Sequence, residues 1–217
     1  MIDTNIKVTG IALVGAKGCG KSTTANALLP FLDTFYGTSG IKLSFADSLR
    51  REVATMLVGS LDTKPVHLYM EKFETIINEM SDPSTKEFYR PLLKWWGTEW
   101  RRTTNPDYWV DQVKHRIDSL AGLEILLATQ PILFVVDDCR FQNEYDMLKD
   151  NNFLFFNLSS NPNRPKDPQD YDTHKSEQDW RHFYFDDYVG WDTVDVRVAA
   201  IINSIMRREG RNTNVLS

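Results

Sequence analysis

The stretch Gly15-Ala16-Lys17-Gly18-Cys19-Gly20-Lys21-Ser22 decides the reading of this chain. It matches G-x-x-x-x-G-K-[ST] at every fixed position, the pattern of a Walker A loop. The apolar run Val8 to Val14 stands directly before it and predicts a buried strand. Lys21 to Phe35 opens on Ser22, Thr23 and Thr24, continues through the helix formers Ala25, Ala27, Leu28 and Leu29, and predicts a helix. Strand, glycine loop and helix thus follow in the order the motif requires. The glycines let successive backbone N–H groups turn inward around a polyphosphate, and the helix N-terminus adds fixed positive potential. Gly15, Ala16, Lys17, Gly18, Cys19, Gly20, Lys21, Ser22 and Thr23 would then form a nucleotide cradle. Lys21 would reach the β- and γ-phosphates, and Ser22 would place its hydroxyl on Mg²⁺. The competing reading, a glycine turn that merely closes a strand–helix unit, is outweighed by the complete octad in its strand–loop–helix context.

The next informative stretch is Pro131 to Arg140, an apolar run that ends in Asp137-Asp138-Cys139-Arg140. Such a run predicts a strand buried on both faces. Asp137 or Asp138 would hold Mg²⁺ through water or orient an acceptor; Asp137 is the metal candidate beside Ser22, and Asp138 the acceptor-side one. For Asp138 the alternative is to cap a helix running from Gln142 to Asp150. Arg140 carries a fork suited to phosphate. Phe153 to Leu158 predicts a further buried strand, and Ile41 to Phe45 a short second one. Ala46 to Val58 reads as a helix with Leu49, Val53, Met56 and Leu57 on one face and Gly59 as its stop. Asp47, Arg50 and Arg51 open that helix where the second strand ends, the side of an open parallel sheet that faces ligands. Solvated surface charge is the alternative for all three.

No alternating strand occurs between Gly59 and Leu126, so residues 59–127 predict a helical insertion on the acceptor side. Lys64 to Met80 places Val66, Met70, Phe73, Ile77 and Met80 on one helical face. In Tyr89 to Arg102, Leu92, Leu93, Trp96 and Trp100 form a core stripe, packing rather than a platform for bases. Arg101 and Arg102 are the phosphate candidates there. Asn105-Pro106-Asp107 predicts a helix start with Asn105 as cap and Pro106 at the first helical position. Trp109, Val110, Val113, Ile117 and Leu120 supply its buried face, and His115 lies off it as a solvated side chain. Residues 159–178, with Pro162, Pro165 and Pro168 among Arg164 and Lys166, predict a long loop that closes over nucleotide as a lid. His174 contacts substrate there or pins the loop, and Ser176 and Glu177 begin a helix. Asp187-Tyr188-Val189 reads as an edge strand, and Thr193 to Arg208 as a last helix with Val194, Val198, Ile201, Ile202 and Ile205 inward.

Composition sets bounds. A chain of 217 residues, 41% hydrophobic, builds one sizeable core with insertions rather than two independent ones. A net charge of −5 argues against a general nucleic-acid coat, which displays a basic excess. The two cysteines, Cys19 and Cys139, indicate neither a disulfide framework nor a zinc cluster. The first residues lack the plan of a signal peptide, and no apolar run reaches the length of a membrane span, so a soluble cytoplasmic protein is expected.

Taken together, the motifs resemble the bacteriophage deoxynucleoside monophosphate kinases, a branch of the P-loop kinases. The resemblance runs nearly the whole chain. It rests on Gly15 to Ser22, Phe45-Ala46-Asp47-Ser48-Leu49, Trp96-Gly97-Thr98-Glu99-Trp100-Arg101-Arg102 with Pro106-Asp107-Tyr108-Trp109-Val110, Asp137 to Glu144, and Thr173-His174-Lys175-Ser176-Glu177, in that order. It implies a P-loop kinase fold of the α/β class, a five-stranded parallel sheet flanked by helices, with a helical acceptor-binding insertion and a lid loop. ATP and Mg²⁺ would be the donor pair and a deoxynucleoside 5′-monophosphate the acceptor, feeding dNTP synthesis in the host-cell cytoplasm. Lys21, Arg140 and Arg164 would act on the transferred group. Asp47, Arg50, Arg101, Arg102, Asp138, Arg140, His174 and Glu177 would surround the acceptor. The Trp95-Trp96 pair and the proline-loaded lid depart from the family pattern and leave base preference and lid geometry open. Two other readings stay open: a kinase acting on a modified base in phage DNA, and a nucleotide-binding ATPase or switch without a small acceptor. Neither a membrane nor nucleic acid is an expected partner; a homodimer is left open.

Overall fold

The computed structural model describes residues 8–59, 66–82, 84–127, 130–163 and 179–210. Two compact units divide the chain, Met1–Ser44 with Arg116–Ser217, and Phe45–His115. The first unit holds the sheet. Its strands β1 (Gly10–Val14), β2 (Ser39–Leu43), β3 (Ile132–Val136), β4 (Phe153–Leu158) and β5 (Asp187–Val189) lie in the order β2-β3-β1-β4-β5, every neighbouring pair parallel. The class is therefore α/β, with a five-stranded all-parallel sheet flanked by helices. Strand β1 is buried along its length because parallel strands have helices over their faces.

Residue alternation divides the two faces. Ile11, Leu13, Leu133, Val135, Leu154, Phe156 and Leu158 share one core with Leu28 of α1 (Lys21–Phe31) and Val198, Ile201 and Ile205 of the last helix, α8 (Val194–Arg208). On the other face the Tyr145 ring of α7 (Gln142–Asp150) lies 4.5 Å from the rings of Phe155 and Phe183. Gly10 belongs to this second face. It stands in register with both Phe134 and Phe153, whose rings stack 6.5 Å apart at 14°. A Cβ at Gly10 would come 2.3 Å from the Phe153 ring, so the missing side chain is what lets that ring lie over β1.

The ends of the strands fix the mouth of the sheet. Ala12 pairs with Val136, which puts Asp137 level with Leu13, and Val14 pairs with Asn157. From β1 the chain crosses toward β2, and from β4 it crosses the other way toward β5. In open parallel sheets the crevice for ligands lies where such connections diverge.

The regular elements among the described residues of the second unit are all helical: α2 (Phe45–Gly59), α3 (Val66–Ser81), α4 (Lys86–Lys94), a π turn (Trp95–Arg101), α5 (Arg102–Thr104) and the start of α6 (Tyr108–Leu127). It takes in α2 and stops within α6, a different division from 59–127. The Tyr89 hydroxyl of α4 donates to Glu79 Oε2 of α3 at 2.5 Å. Only part of each predicted stripe is buried. On α3, Met80 is enclosed while Val66 is 78% exposed; on α2, Val53 is buried with Phe45, Ala54 and Val58, and Met56 faces out. Asn105 is extended and its side chain accepts the Asp107 N–H at 3.0 Å, the expected cap, and regular helical bonding of α6 begins at Tyr108. His115 is exposed, as its place off the stripe implies.

Two helices open into π turns, α1 at Leu32–Tyr36 and α4 at Trp95–Arg101. Each does so shortly after an internal proline, Pro30 or Pro91. Proline removes a donor and crowds the carbonyl four residues back, which favours local widening. In an α-helix, residues five apart diverge by about 140°; a turn bonded i to i+5 puts them on one face instead. Trp95 and Trp100 accordingly stack at 5.9 Å and 15°. Trp100 is thereby drawn out of the expected core stripe and is 37% exposed, while Trp96 stays buried.

Replacing Gly10 by Ala should displace the Phe153 ring and lower stability by about 1–2 kcal/mol, a moderate overpacking penalty. Adding Phe153→Leu should recover part of that loss; urea unfolding of the two single variants and the double variant measures it, and strict additivity would refute the contact.

Candidate functional site

The loop between β1 and α1 is shaped by glycines that no other residue replaces. Gly15 has φ 145°, and a Cβ on it would lie 2.6 Å from the Leu158 carbonyl oxygen and 2.9 Å from Cys19 Sγ. Gly18 and Gly20 also take positive φ, 74° and 93°. The Cys19 N–H donates to the Ala16 carbonyl at 3.2 Å, closing the loop. Gly20 caps α1, its carbonyl accepting the Thr24 N–H at 2.9 Å. A glycine cap brings no side chain to the first-turn N–H groups, which have no acceptor inside the helix. Ser22 and Thr23 are exposed in that turn. The Lys21 ammonium folds back over the loop and donates to the carbonyls of Gly15 at 2.7 Å and Ala16 at 3.0 Å.

The acidic end of β3 lies one strand away. Asp137 is nearly buried and pairs with Lys42 Nζ at 2.9 Å; the same ammonium donates to Asn26 Oδ1 of α1 at 3.3 Å. Asp138 accepts the Ser44 hydroxyl at 2.6 Å and does not cap α7. That role falls to Glu144, a buried carboxylate that reaches back to the Arg140 N–H at 2.7 Å and the Phe141 N–H at 3.1 Å. This is half of a capping box, since Phe141 has no side-chain acceptor to return the bond. The backbone of Arg140 is thus fixed at the end of the sheet by its own N–H.

In the helical unit Glu52 is the node. Its Oε1 accepts Trp96 Nε1 at 2.8 Å and Arg101 Nε at 2.6 Å, and its Oε2 accepts the Tyr108 hydroxyl at 2.9 Å. Trp96 and Arg101 are five apart, so the π turn is what aims both at one carboxylate. The Arg101 guanidinium also lies 4.3 Å from the Trp100 ring and 4.9 Å from the Tyr108 ring. Burial, then the hydrogen bond to Glu52, pushes the Tyr108 phenol above its ordinary pKa. Arg102 Nη1 donates to the Pro106 carbonyl at 3.4 Å, and Arg50 pairs with Asp47 at 2.6 Å, one turn apart on α2. Within this unit Asp47, Arg50, Arg101 and Arg102 are therefore engaged with protein groups. Arg164, His174 and Glu177 lie outside the described residues, as does the stretch 159–178 beyond Asn163. Among the described residues no cluster of three or more His, Cys, Asp or Glu could hold a metal ion, and no helix is long and apolar enough to cross a membrane.

Sequence reasoning missed Lys42, Ser44, Glu52, Glu144 and Arg197. Arg197 of α8 is buried, and its Nη1 donates to the Cys19 carbonyl at 2.6 Å. The one available signal was an arginine in the first turn of a helix, where a cation opposes the helix dipole.

Glu52→Gln should free Arg101 and lower stability by about 1–3 kcal/mol, the usual effect of breaking charge-assisted bonds at a partly buried site. The Tyr108 phenol should then titrate closer to its ordinary value. Because its folded pKa is raised, its contribution is complete below the ordinary phenol pKa and disappears as pH rises through the raised one. Ultraviolet phenolate titration of both proteins reads the shift, and identical curves would disprove the link.

No protein-family model matches the chain, and no curated protein matches it either.

Proposed function

We propose that the chain is a P-loop kinase that transfers the γ-phosphoryl group of ATP to a deoxynucleoside 5′-monophosphate, giving the diphosphate and ADP. The observation that carries this is Lys21, whose ammonium rests on the Gly15 and Ala16 carbonyls within a glycine loop at the end of the central parallel strand. A cation resting on loop carbonyls exchanges readily to phosphate oxygens. The N–H groups of the first turn of α1 bind the same anion. The choice of a deoxynucleotide acceptor rests on the resemblance in motif order.

Ser22 and Asp137 fit Mg²⁺. Both offer hard oxygen donors, and magnesium ordinarily takes one or two protein oxygens besides phosphates and water. Asp137 already faces a cation, the Lys42 ammonium. Mg²⁺, when bound, neutralises charge on the β- and γ-oxygens.

The remaining work falls to side chains. Lys21 offsets charge on the transferred group. Arg140, on a backbone fixed by Glu144, binds the acceptor phosphate through its fork. No general base is required, because an acceptor phosphate is largely ionised near neutral pH, so positioning and charge neutralisation supply the acceleration. Arg101 or Arg102 is a further acceptor-phosphate ligand, with Asp47, Arg50 and Asp138 toward sugar or base. The resemblance assigns Arg164 to the phosphates and His174 and Glu177 to the acceptor.

Incubation with Mg-ATP and each deoxynucleoside monophosphate separately, with products resolved, tests the assignment. ATP hydrolysis without any diphosphate product would refute it. Lys21→Ala should leave the fold intact and lower transfer by roughly 10²–10³-fold, the usual effect of removing a transition-state charge contact; near wild-type turnover in the folded variant would defeat the loop's role. Arg140→Lys keeps charge and loses the fork, so acceptor KM should rise about tenfold while ATP affinity holds. The reverse pattern would move Arg140 to the donor side.

A further inference from the structure

Arg197 sits within the apolar stripe of α8, beside Val194, Val198 and Ile201, and is 2% exposed. A buried guanidinium requires compensation. Among the described residues no carboxylate pairs with it. Its compensation comes instead from two main-chain carbonyls and an indole: Nη1 donates to the Cys19 oxygen at 2.6 Å, Nη2 donates to the Ser159 oxygen at 2.7 Å, and the guanidinium lies 4.5 Å from the Trp191 ring. Its Nε has no hydrogen-bond partner. The positive charge behind the glycine loop is thus solvated by dipoles and not cancelled.

The bond to Cys19 has a directional effect. In a trans peptide the C=O and the following N–H point to opposite sides of the chain. Holding the Cys19 oxygen on Arg197 therefore directs the Gly20 N–H away from Arg197. Gly20 is itself tight against the guanidinium, since a Cβ there would lie 3.0 Å from Nη1. The second bond, to Ser159, anchors the same group to the residue after β4, where the connections of the sheet diverge.

We propose that Arg197 is a positioning residue for polyphosphate binding: it fixes the Cys19–Gly20 peptide with its N–H toward the anion and supplies uncancelled positive charge behind the loop. This rests on the reading of Gly15 to Ser22 as the polyphosphate cradle. It assigns control of that cradle to a residue of the last helix that lies behind the loop.

The test titrates inorganic tripolyphosphate and Mg-ATP calorimetrically into the full-length wild type, Arg197→Lys and Arg197→Ala, with thermal unfolding recorded for each. Losing a charged hydrogen bond corresponds to roughly a 10–100-fold change. Arg197→Ala should weaken both ligands by about that factor, and Arg197→Lys, able to reach one carbonyl, should fall between. Millimolar guanidinium chloride should restore affinity to Arg197→Ala, and methylammonium should restore less. Wild-type tripolyphosphate affinity in folded Arg197→Ala would overturn the proposal, as would guanidinium that restores the melting temperature without restoring affinity. If Arg197→Ala does not fold, Arg197→Lys decides, and unchanged affinity there overturns the proposal. Wild type that binds tripolyphosphate but phosphorylates no nucleotide would defeat the kinase reading and leave this one standing; wild type that binds neither anion would defeat both.

Discussion

No side chain fits between Gly15 and the Leu158 carbonyl, and that closeness organises the end of the sheet. With a would-be Cβ only 2.6 Å from the oxygen, the chain leaving β1 turns hard against the end of β4. The turn brings Cys19 back beneath Gly15 and delivers Lys21 to the loop's own carbonyls. Because β4 runs straight on into Ser159, the same closeness puts the Cys19 and Ser159 carbonyls within the span of one guanidinium. A backbone approach of this kind is rigid, since neither partner has rotamers to exchange.

Around that fixed point the carboxylate loop after β3 is held by a different device. Lys42 on Asp137, Ser44 on Asp138 and Glu144 on the N–H groups of Arg140 and Phe141 restrain four of the five residues from Asp137 to Phe141. Both loops at the mouth of the sheet are thus ordered by contacts internal to the protein. Groups positioned in advance in this way lose little further conformational entropy when a ligand arrives.

The parts of the fold legible in the sequence were those with unambiguous punctuation. Gln142–Asp150, Phe153–Leu158 and Asp187–Val189 are observed at their expected bounds, each bordered by polar turn residues. Period-based reading failed where the period itself changed: the stripe from Leu92 to Trp100 assumed α-helical spacing across a π turn. The glycine turn between β1 and α1 was legible because its spacing is local. Arg197 and Glu52 were not, because the partners of the one are backbone carbonyls, which have no sequence signature, and those of the other lie 44 to 56 residues away.

The π turn at Trp95–Arg101 also governs how the gene for this protein can change in length. A π turn amounts to an α-helix carrying one surplus residue. Deleting any single residue within it would restore regular helical bonding and improve the local backbone, yet it would rotate everything beyond by about 100°. Trp96 and Arg101 would then no longer meet at Glu52. Substitutions in this segment act one side chain at a time, whereas a one-codon deletion dismantles the whole node while leaving a better helix behind.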